Sequence, residues 1–375
     1  MSLIIGAFYF FYFALIGVHI IFVPKILSMV GYSSIDIGII FASAPLVRFV
    51  VPFLFLKGFK LDHKVFAAAL VLMVLGAAGF YPSLTSFWPL LISNIIFGIG
   101  ISLLLPYIEV IALEHIGKES YGKIRLFGSL GFIAVSLVLV RYLDEPKIGI
   151  DFLIAMALAT SMLGALIGSL ENKKSAAIAE ISEQLDSFNP LAHLSLWIGF
   201  LLMQVSFGPF YNFFTIYATD HGISLDMTVW LWSFGVLAEI MMFYFQGPLL
   251  QFNLPMLLQI TALFTAGRWM IVALFPDNLT LLFLAQSFHA LSFALFHTAA
   301  ISLLFSLYRS KRLAQQFFFG ISYGLGGFLG ALGAGVLYQY APSWLFIGGA
   351  IAASAATIAF RIHIKNGPSH SRNPM

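Results

Sequence analysis

Cysteine is absent from the 375 residues, which excludes disulfides and thiolate metal centres. Charge is scarce as well. Asp, Glu, Lys and Arg make up 9% of the chain, against about 25% in ordinary soluble domains, and so few charges cannot clothe a soluble surface. The nine histidines show no metal-ligand spacing of the His-Glu-x-x-His kind, so neither a metal nor a cofactor is expected. No basic stretch precedes the first apolar run and no small-residue cleavage site follows it. Leu3 onward therefore reads as a first membrane span rather than a removable signal peptide.

What the chain has in quantity is apolar surface: 60% of residues are hydrophobic and 40 are Phe. This composition is that of an all-α integral membrane protein. Runs long enough to cross about 30 Å of hydrocarbon number twelve, at about 3–29, 34–56, 64–84, 87–115, 121–143, 149–170, 191–217, 225–245, 255–275, 280–306, 312–340 and 343–364.

Basic residues set the orientation. With both termini cytoplasmic, that side holds Lys57, Lys60, Lys64, Lys118, Lys123, Arg125, Lys173, Lys174, Arg309, Lys311, Arg312, Arg361, Lys365 and Arg372, and the other side only Lys25, Arg141 and Lys147. The positive-inside rule selects this topology. Arg48 and Arg268 fall within spans.

The polar segment 171–192 divides the chain into six-span halves at 1–170 and 193–364, and its ISEQLDSF stretch suits a short surface helix. It reads as a cytoplasmic linker. The tail 365–375, rich in Gly, Pro, Ser and Asn, has the composition of a disordered segment.

Glu109 and Arg125 lie in apolar sequence on either side of a short polar loop, each eight residues from Gly117, hence about 12 Å deep at roughly 1.5 Å per helical residue. They share a depth and can face each other. A charge at mid-membrane costs roughly 2.5 to 3.5 kcal/mol and so usually faces a partner or a cavity on a transport path; the alternative is a salt bridge that only pins two helices. Tyr12 and His19, seven residues apart, fall on nearly one helix face and are placed to line a cavity beside Gln204 and Asn212. Pro45, Pro52, Pro106 and Pro209 are expected to kink their helices, which spans tolerate when neighbours satisfy the freed carbonyls.

Two internal matches suggest duplication. Phe127, Gly128, Gly131 and Phe132 of span five match Tyr323, Gly324, Gly327 and Phe328 of span eleven. Aligning Gly31-Tyr-Ser33 with Gly222-Ile-Ser224 sets Arg48 opposite Glu239, each seventeen residues after its glycine. Opposite charges then occupy equivalent depths, and Arg48 is expected to face the interior.

The first helix FYFFYFALIG, the DIGIIFA stretch from Asp36 to Ala42, and PYIE followed by YGKIRLFGSLGF resemble the major facilitator superfamily, in its branch containing the lactose and 3-phenylpropionate permeases. The segment LKGFKLDHKV, with Lys57, Asp62 and Lys64, is similar to a reduced form of the superfamily's loop motif between helices two and three; positive-inside topology explains those charges equally well. The resemblance implies twelve helices in two six-helix halves. It carries Glu109 and Arg125 onto the substrate-holding carboxylate and guanidinium, Glu239 onto a carboxylate of binding and coupling, and Arg268 and His289 onto further polar cavity positions. The pattern breaks at Ser292, where the lactose permease has a proton-carrying Glu; this chain instead offers His297, as in the phenylpropionate type.

These residues imply a secondary transporter working by alternating access around a midplane site. Substrate binding falls to Glu109, Arg125, Arg268, His289, Arg48 and Tyr12, and proton coupling to Glu239, His289 and His297. Three arginines favour an anion and the many Phe an aromatic body. A sugar or nucleoside symporter, or an efflux pump of the superfamily, are the alternatives. No cluster of acid/base residues points to an enzyme and no repeated filter segment to a channel. The partners expected are a small organic substrate, protons and the lipid bilayer, with no nucleic acid, for a monomer in a bacterial inner membrane.

Overall fold

The computed structural model describes residues 1–56, 59, 61–116, 118–171 and 188–366, with the backbone alone at 55, 56, 118–120 and 312. Among these residues twelve helices are long and apolar enough to cross a membrane: Ser2–Met29, Ser34–Leu54, His63–Ser83, Phe87–Ile116, Tyr121–Leu139, Pro146–Leu170, Pro190–Asp220, Leu225–Phe245, Leu254–Leu274, Leu279–Leu307, Leu313–Tyr340 and Pro342–Asn366. We call them spans one to twelve. Large apolar side chains such as Leu75, Trp88, Met162, Leu263 and Ile351 are exposed on the outside of the bundle, an arrangement stable only against lipid. The linker expected at 171–192 falls largely outside the described residues, as do Lys57, Lys60, Lys173, Lys174, Arg372 and most of the tail. Span twelve runs on to Asn366, past the boundary read from the sequence.

Among the described residues three spans contain π-helical segments. Span one passes through a π-helical segment at Val18–Phe22, span ten at Ala290–Leu295 and span eleven at Phe319–Gly326. Such segments insert a residue into the helical ladder and occur often at functional sites. Span seven breaks at Phe207, between helices ending at Ser206 and starting at Gly208, with Pro209 in the first turn of the second. Proline is tolerated there because the first N–H groups of a helix have no intrahelical acceptor. Pro45, Pro52 and Pro106 lie inside their helices.

One turn occurs twice. Gly31 and Gly222 have φ of 94° and 83°, a left-handed conformation that costs glycine nothing. The Gly31 N–H donates to Ser28 and that of Tyr32 to Leu27, while the Gly222 N–H donates to Thr219 and that of Ile223 to Ala218. Ser33 and Ser224 then cap spans two and eight, accepting from the N–H groups of Asp36 and Met227. The aligned turns match bond for bond. The matched glycines of spans five and eleven have different neighbours, however: a Cβ on Gly131 would overlap the carbonyl of Phe10 in span one, whereas one on its match Gly327 would lie 3.2 Å from Pro45 in span two. Gly131→Ala should therefore wedge spans one and five apart and lower the melting temperature of the detergent-solubilised protein by several degrees; an unchanged melting curve would show that the spans shift at no cost.

The first six and last six spans meet along a seam between spans two and eleven. Pro45 lies against Gly327, Phe49 against Gly324 and Pro52 against Gly320, and Gly38 meets Ala331 and Gly335 nearer the end distal to the termini. Polar contacts tie the halves at that distal end. Lys25 donates to Thr219 at 2.9 Å, the Ser34 N–H donates to Gln339 at 3.0 Å, and Arg141 pairs with Asp226 at 3.5 Å.

Candidate transport site

Charged side chains from both halves converge in the space between them. On the first half, Arg125 Nε stands 3.9 Å from Glu109 Oε1, both side chains about one-third exposed. The guanidinium lies 4.0 Å over the ring of Phe13 and 5.3 Å over that of Tyr9, both of span one. Aromatic faces hold the cation without neutralising it. The field of Arg125 also reaches Glu239 and His297 on the opposite half.

The second half contributes a buried network. Arg268 is fully buried and donates to His289 Nδ1 at 2.9 Å, to Ser292 Oγ at 3.0 Å and to Gln286 Oε1 at 2.8 Å. Phe210 and Trp269 flank it, their ring centres 4.5 and 4.4 Å from the guanidinium carbon. Each of these hydrogen-bond partners is neutral, and Arg268 Nε has none among the described residues. Through the histidine the network reaches a carboxylate: His289 Nε2 stands 3.6 Å from Glu239 Oε2. Because a guanidinium can only donate, His289 Nδ1 must be the bare nitrogen, and Nε2–H points at Glu239. While Arg268 holds Nδ1, the ring has no site for a second proton. At 3.6 Å the contact with Glu239 is longer than a hydrogen bond, and the carboxylate remains free to take up a proton.

Arg48 projects from span two at half burial, within the electrostatic field of Tyr12 and Tyr323. It has no hydrogen-bond or ion-pair partner among the described residues. Tyr323 lies near Glu239 as well, so Arg48 and Glu239 flank one phenol from opposite halves. His297 Nδ1 is 2.9 Å from the Tyr323 hydroxyl.

Other residues expected in the cavity are used differently. Tyr12 is buried and donates its hydroxyl to the Ile101 carbonyl at 2.9 Å, so that hydroxyl is not available to a substrate. The reason is local: span four passes close enough for its backbone to capture the phenol. His19 is buried among Phe41, Phe80 and Phe97. It bonds Asn94, which in turn donates to the Ile40 carbonyl and to Ser43. That network joins spans one, two and four. Asn212 is buried and donates to Gly208 of its own helix. Tyr323 and Tyr211 were not picked out as site residues, yet Tyr211 feels Tyr323, Glu239 and Arg268 together. Tyr323 stood out only through its place in the internal match with span five and Tyr211 not at all, and aromatic residues in spans usually pack. A groove of about 280 Å³ between spans three and six, lined by His63, Phe66, Leu70 and Ser161 among others, contains none of the charged cluster.

The model of the MFS_1 like family matches residues 3–348. A probable 3-phenylpropionic acid transporter of Escherichia coli (strain K12) is 28% identical over 357 residues, 90% of this chain and 91% of that one. Among solved structures, the nucleoside transporter NupG superposes with a TM-score of 0.77 at 16% identity, covering 97% of this chain and 99% of that chain. An auto inhibited POT family peptide transporter superposes with a TM-score of 0.78 at 12% identity, covering 99% and 98%. With twelve spans, charges gathered between the halves and a family match over nearly its whole length, the chain belongs to the MFS_1 like family of the major facilitator superfamily and is a multi-pass membrane transporter of small molecules, not an enzyme.

Proposed function

We propose that the protein carries a small organic anion, with an aromatic acid as the favoured cargo, by alternating access coupled to proton symport. One observation carries this reading: among the described residues Arg48 meets no carboxylate, so the cleft charges, Arg48, Arg125 and Arg268 against Glu109 and Glu239, leave one guanidinium unmatched. An unmatched cation in a low-dielectric cleft attracts an anion strongly. The rings of Tyr9, Phe13, Phe207 and Phe210 around the other two guanidiniums suit an aromatic body, and the similarity to a probable 3-phenylpropionic acid transporter supports the same class. Glu109 and Arg125 hold substrate from the first half. Glu239 carries the proton, because Glu109 is committed to Arg125 and His289 is held by Arg268. The membrane is a bacterial inner membrane, both termini are cytoplasmic, and the working unit is the monomer.

The test is uptake and counterflow in proteoliposomes against aromatic acids, sugars and nucleosides, with and without an imposed pH gradient. Accumulation of an acid driven by that gradient is the expected result. Transport of a sugar or nucleoside with indifference to acids would overturn the reading. Glu109→Gln and Arg125→Lys should each reduce transport to background while the protein remains in the membrane, since a lysine cannot reproduce the planar two-donor fork of arginine. Full transport by either variant would leave the pair a structural pin between spans four and five.

A further inference from the structure

The geometry points to Tyr323 as a specificity-determining residue, which together with Arg48 forms a two-donor seat for the carboxylate of the substrate and is aimed by His297 as its positioning residue. The inference rests on the organic-anion reading above and adds a residue from the second half to it.

Four observations lead there. Arg48 is a half-buried cation with no direct partner among the described residues, and a lone guanidinium offers a carboxylate oxygen a strong, charge-assisted donor. The backbone beside it is fixed: Phe49 follows Arg48, Gly324 follows Tyr323, and a Cβ on Gly324 would lie 2.7 Å from Phe49 Cα. That close approach brings the two side chains to the same level of the seam between spans two and eleven. Tyr323 lies within a π-helical segment, Phe319–Gly326, and His297 two residues beyond another, Ala290–Leu295; both irregular segments thus converge on one hydrogen bond. That bond, His297 Nδ1 to the Tyr323 hydroxyl at 2.9 Å, decides which way the phenol proton points.

The chemistry follows from the donor inventory. When His297 carries its proton on Nδ1, it donates to the phenol oxygen, and the phenol O–H is free to donate to an incoming anion. With the other tautomer the phenol donates to His297 and presents a lone pair, which repels a carboxylate. An anion beside Arg48 therefore selects the first arrangement. A neutral amide or alcohol gains little from it. The Tyr12 hydroxyl does not compete, being bonded to the Ile101 carbonyl.

The test compares binding of 3-phenylpropionate with that of 3-phenylpropanamide to the purified full-length protein by isothermal titration. Tyr323→Phe removes only the hydroxyl. It should weaken the acid by about tenfold or more, the worth of one hydrogen bond to a charged group, and change the amide less than twofold. The acid-to-amide ratio is insensitive to the fraction of protein that is active, so a partly misfolded preparation does not blur it. The double variant Tyr323→Phe with His297→Ala should be no more selective and no weaker than Tyr323→Phe alone, because an aiming residue has nothing left to aim. An unchanged ratio in Tyr323→Phe overturns the inference while leaving the organic-anion reading intact. Additive losses in the double variant overturn the role of His297. Wild-type protein that binds no aromatic acid overturns the organic-anion reading and this inference with it.

Discussion

Glu239→Gln should abolish accumulation driven by a proton gradient and leave exchange of substrate across the membrane close to the wild-type rate. The variant keeps shape and hydrogen-bonding capacity but cannot gain or lose a proton. Its surroundings explain why one carboxylate should matter so much. Glu239 faces His289 Nε2 at 3.6 Å, and His289 is bound on its other nitrogen by Arg268. Protonating Glu239 removes a carboxylate charge that stands within the field of Arg125 and beside the histidine that Arg268 holds, and a cation left uncompensated in a low-dielectric cleft is costly. An organic anion in the cleft offsets that cost. Proton and anion therefore favour each other's binding, and by linkage the effect is reciprocal. A gradient of about one pH unit stores about 1.4 kcal/mol, enough for roughly tenfold accumulation; in Glu239→Gln the steady-state ratio should fall to about one. Proteoliposomes loaded with buffer of different pH measure the first quantity, and counterflow of labelled substrate at equal pH the second. Accumulation that survives the substitution would move the proton to another group. Loss of exchange as well would make Glu239 a binding residue.

Much of this arrangement was legible in the sequence. A segment of apolar residues as long as the membrane has few alternatives to a helix, because every backbone polar group must be satisfied within it; the twelve spans follow from that constraint. The turn at Gly31 and its copy at Gly222 were readable because a left-handed residue followed by a serine cap leaves a short, specific pattern. The facing of Glu109 and Arg125 was readable because both are counted from one loop at equal depth.

What escaped the sequence depends on contacts between distant segments. The π-helical segments leave no composition signal, since one inserted residue does not change apolarity. Tyr12 looked like a cavity residue until the carbonyl of Ile101, 89 positions away, proved to hold its hydroxyl. His19 shared a face with it and is likewise consumed by Asn94. Tyr323 carried the opposite error. It was one aromatic residue among many, and only the approach of Phe49 to Gly324 sets it beside Arg48. A polar atom in a span acquires its role from what the neighbouring helix leaves unsatisfied, and that is decided in three dimensions.

Arg48→Ala should weaken binding of an aromatic acid by roughly 10- to 150-fold, the range that follows from a hydrogen bond to a charged group worth about 1.5 to 3 kcal/mol, and leave the corresponding amide close to wild type. The argument starts from cost. A cation within a membrane span is disfavoured by kilocalories and is normally paired; Glu109 lies against Arg125 and Glu239 against His289, whereas Arg48, with Tyr12, Tyr323 and His19 in its field, has no carboxylate partner among the described residues. Leaving it unpaired is tolerable if the transported anion supplies the missing charge for part of each cycle. Removing the side chain should then raise stability slightly in the empty protein while destroying affinity, a combination that a structural arginine would not give. Arg48→Lys should recover part of the affinity, because the charge returns without the planar fork. Thermal melting of the empty protein, with titration of acid and amide, separates the possibilities. Equal losses for acid and amide would show that Arg48 supports the fold of the cleft, and no loss for either would show that it faces away from the path.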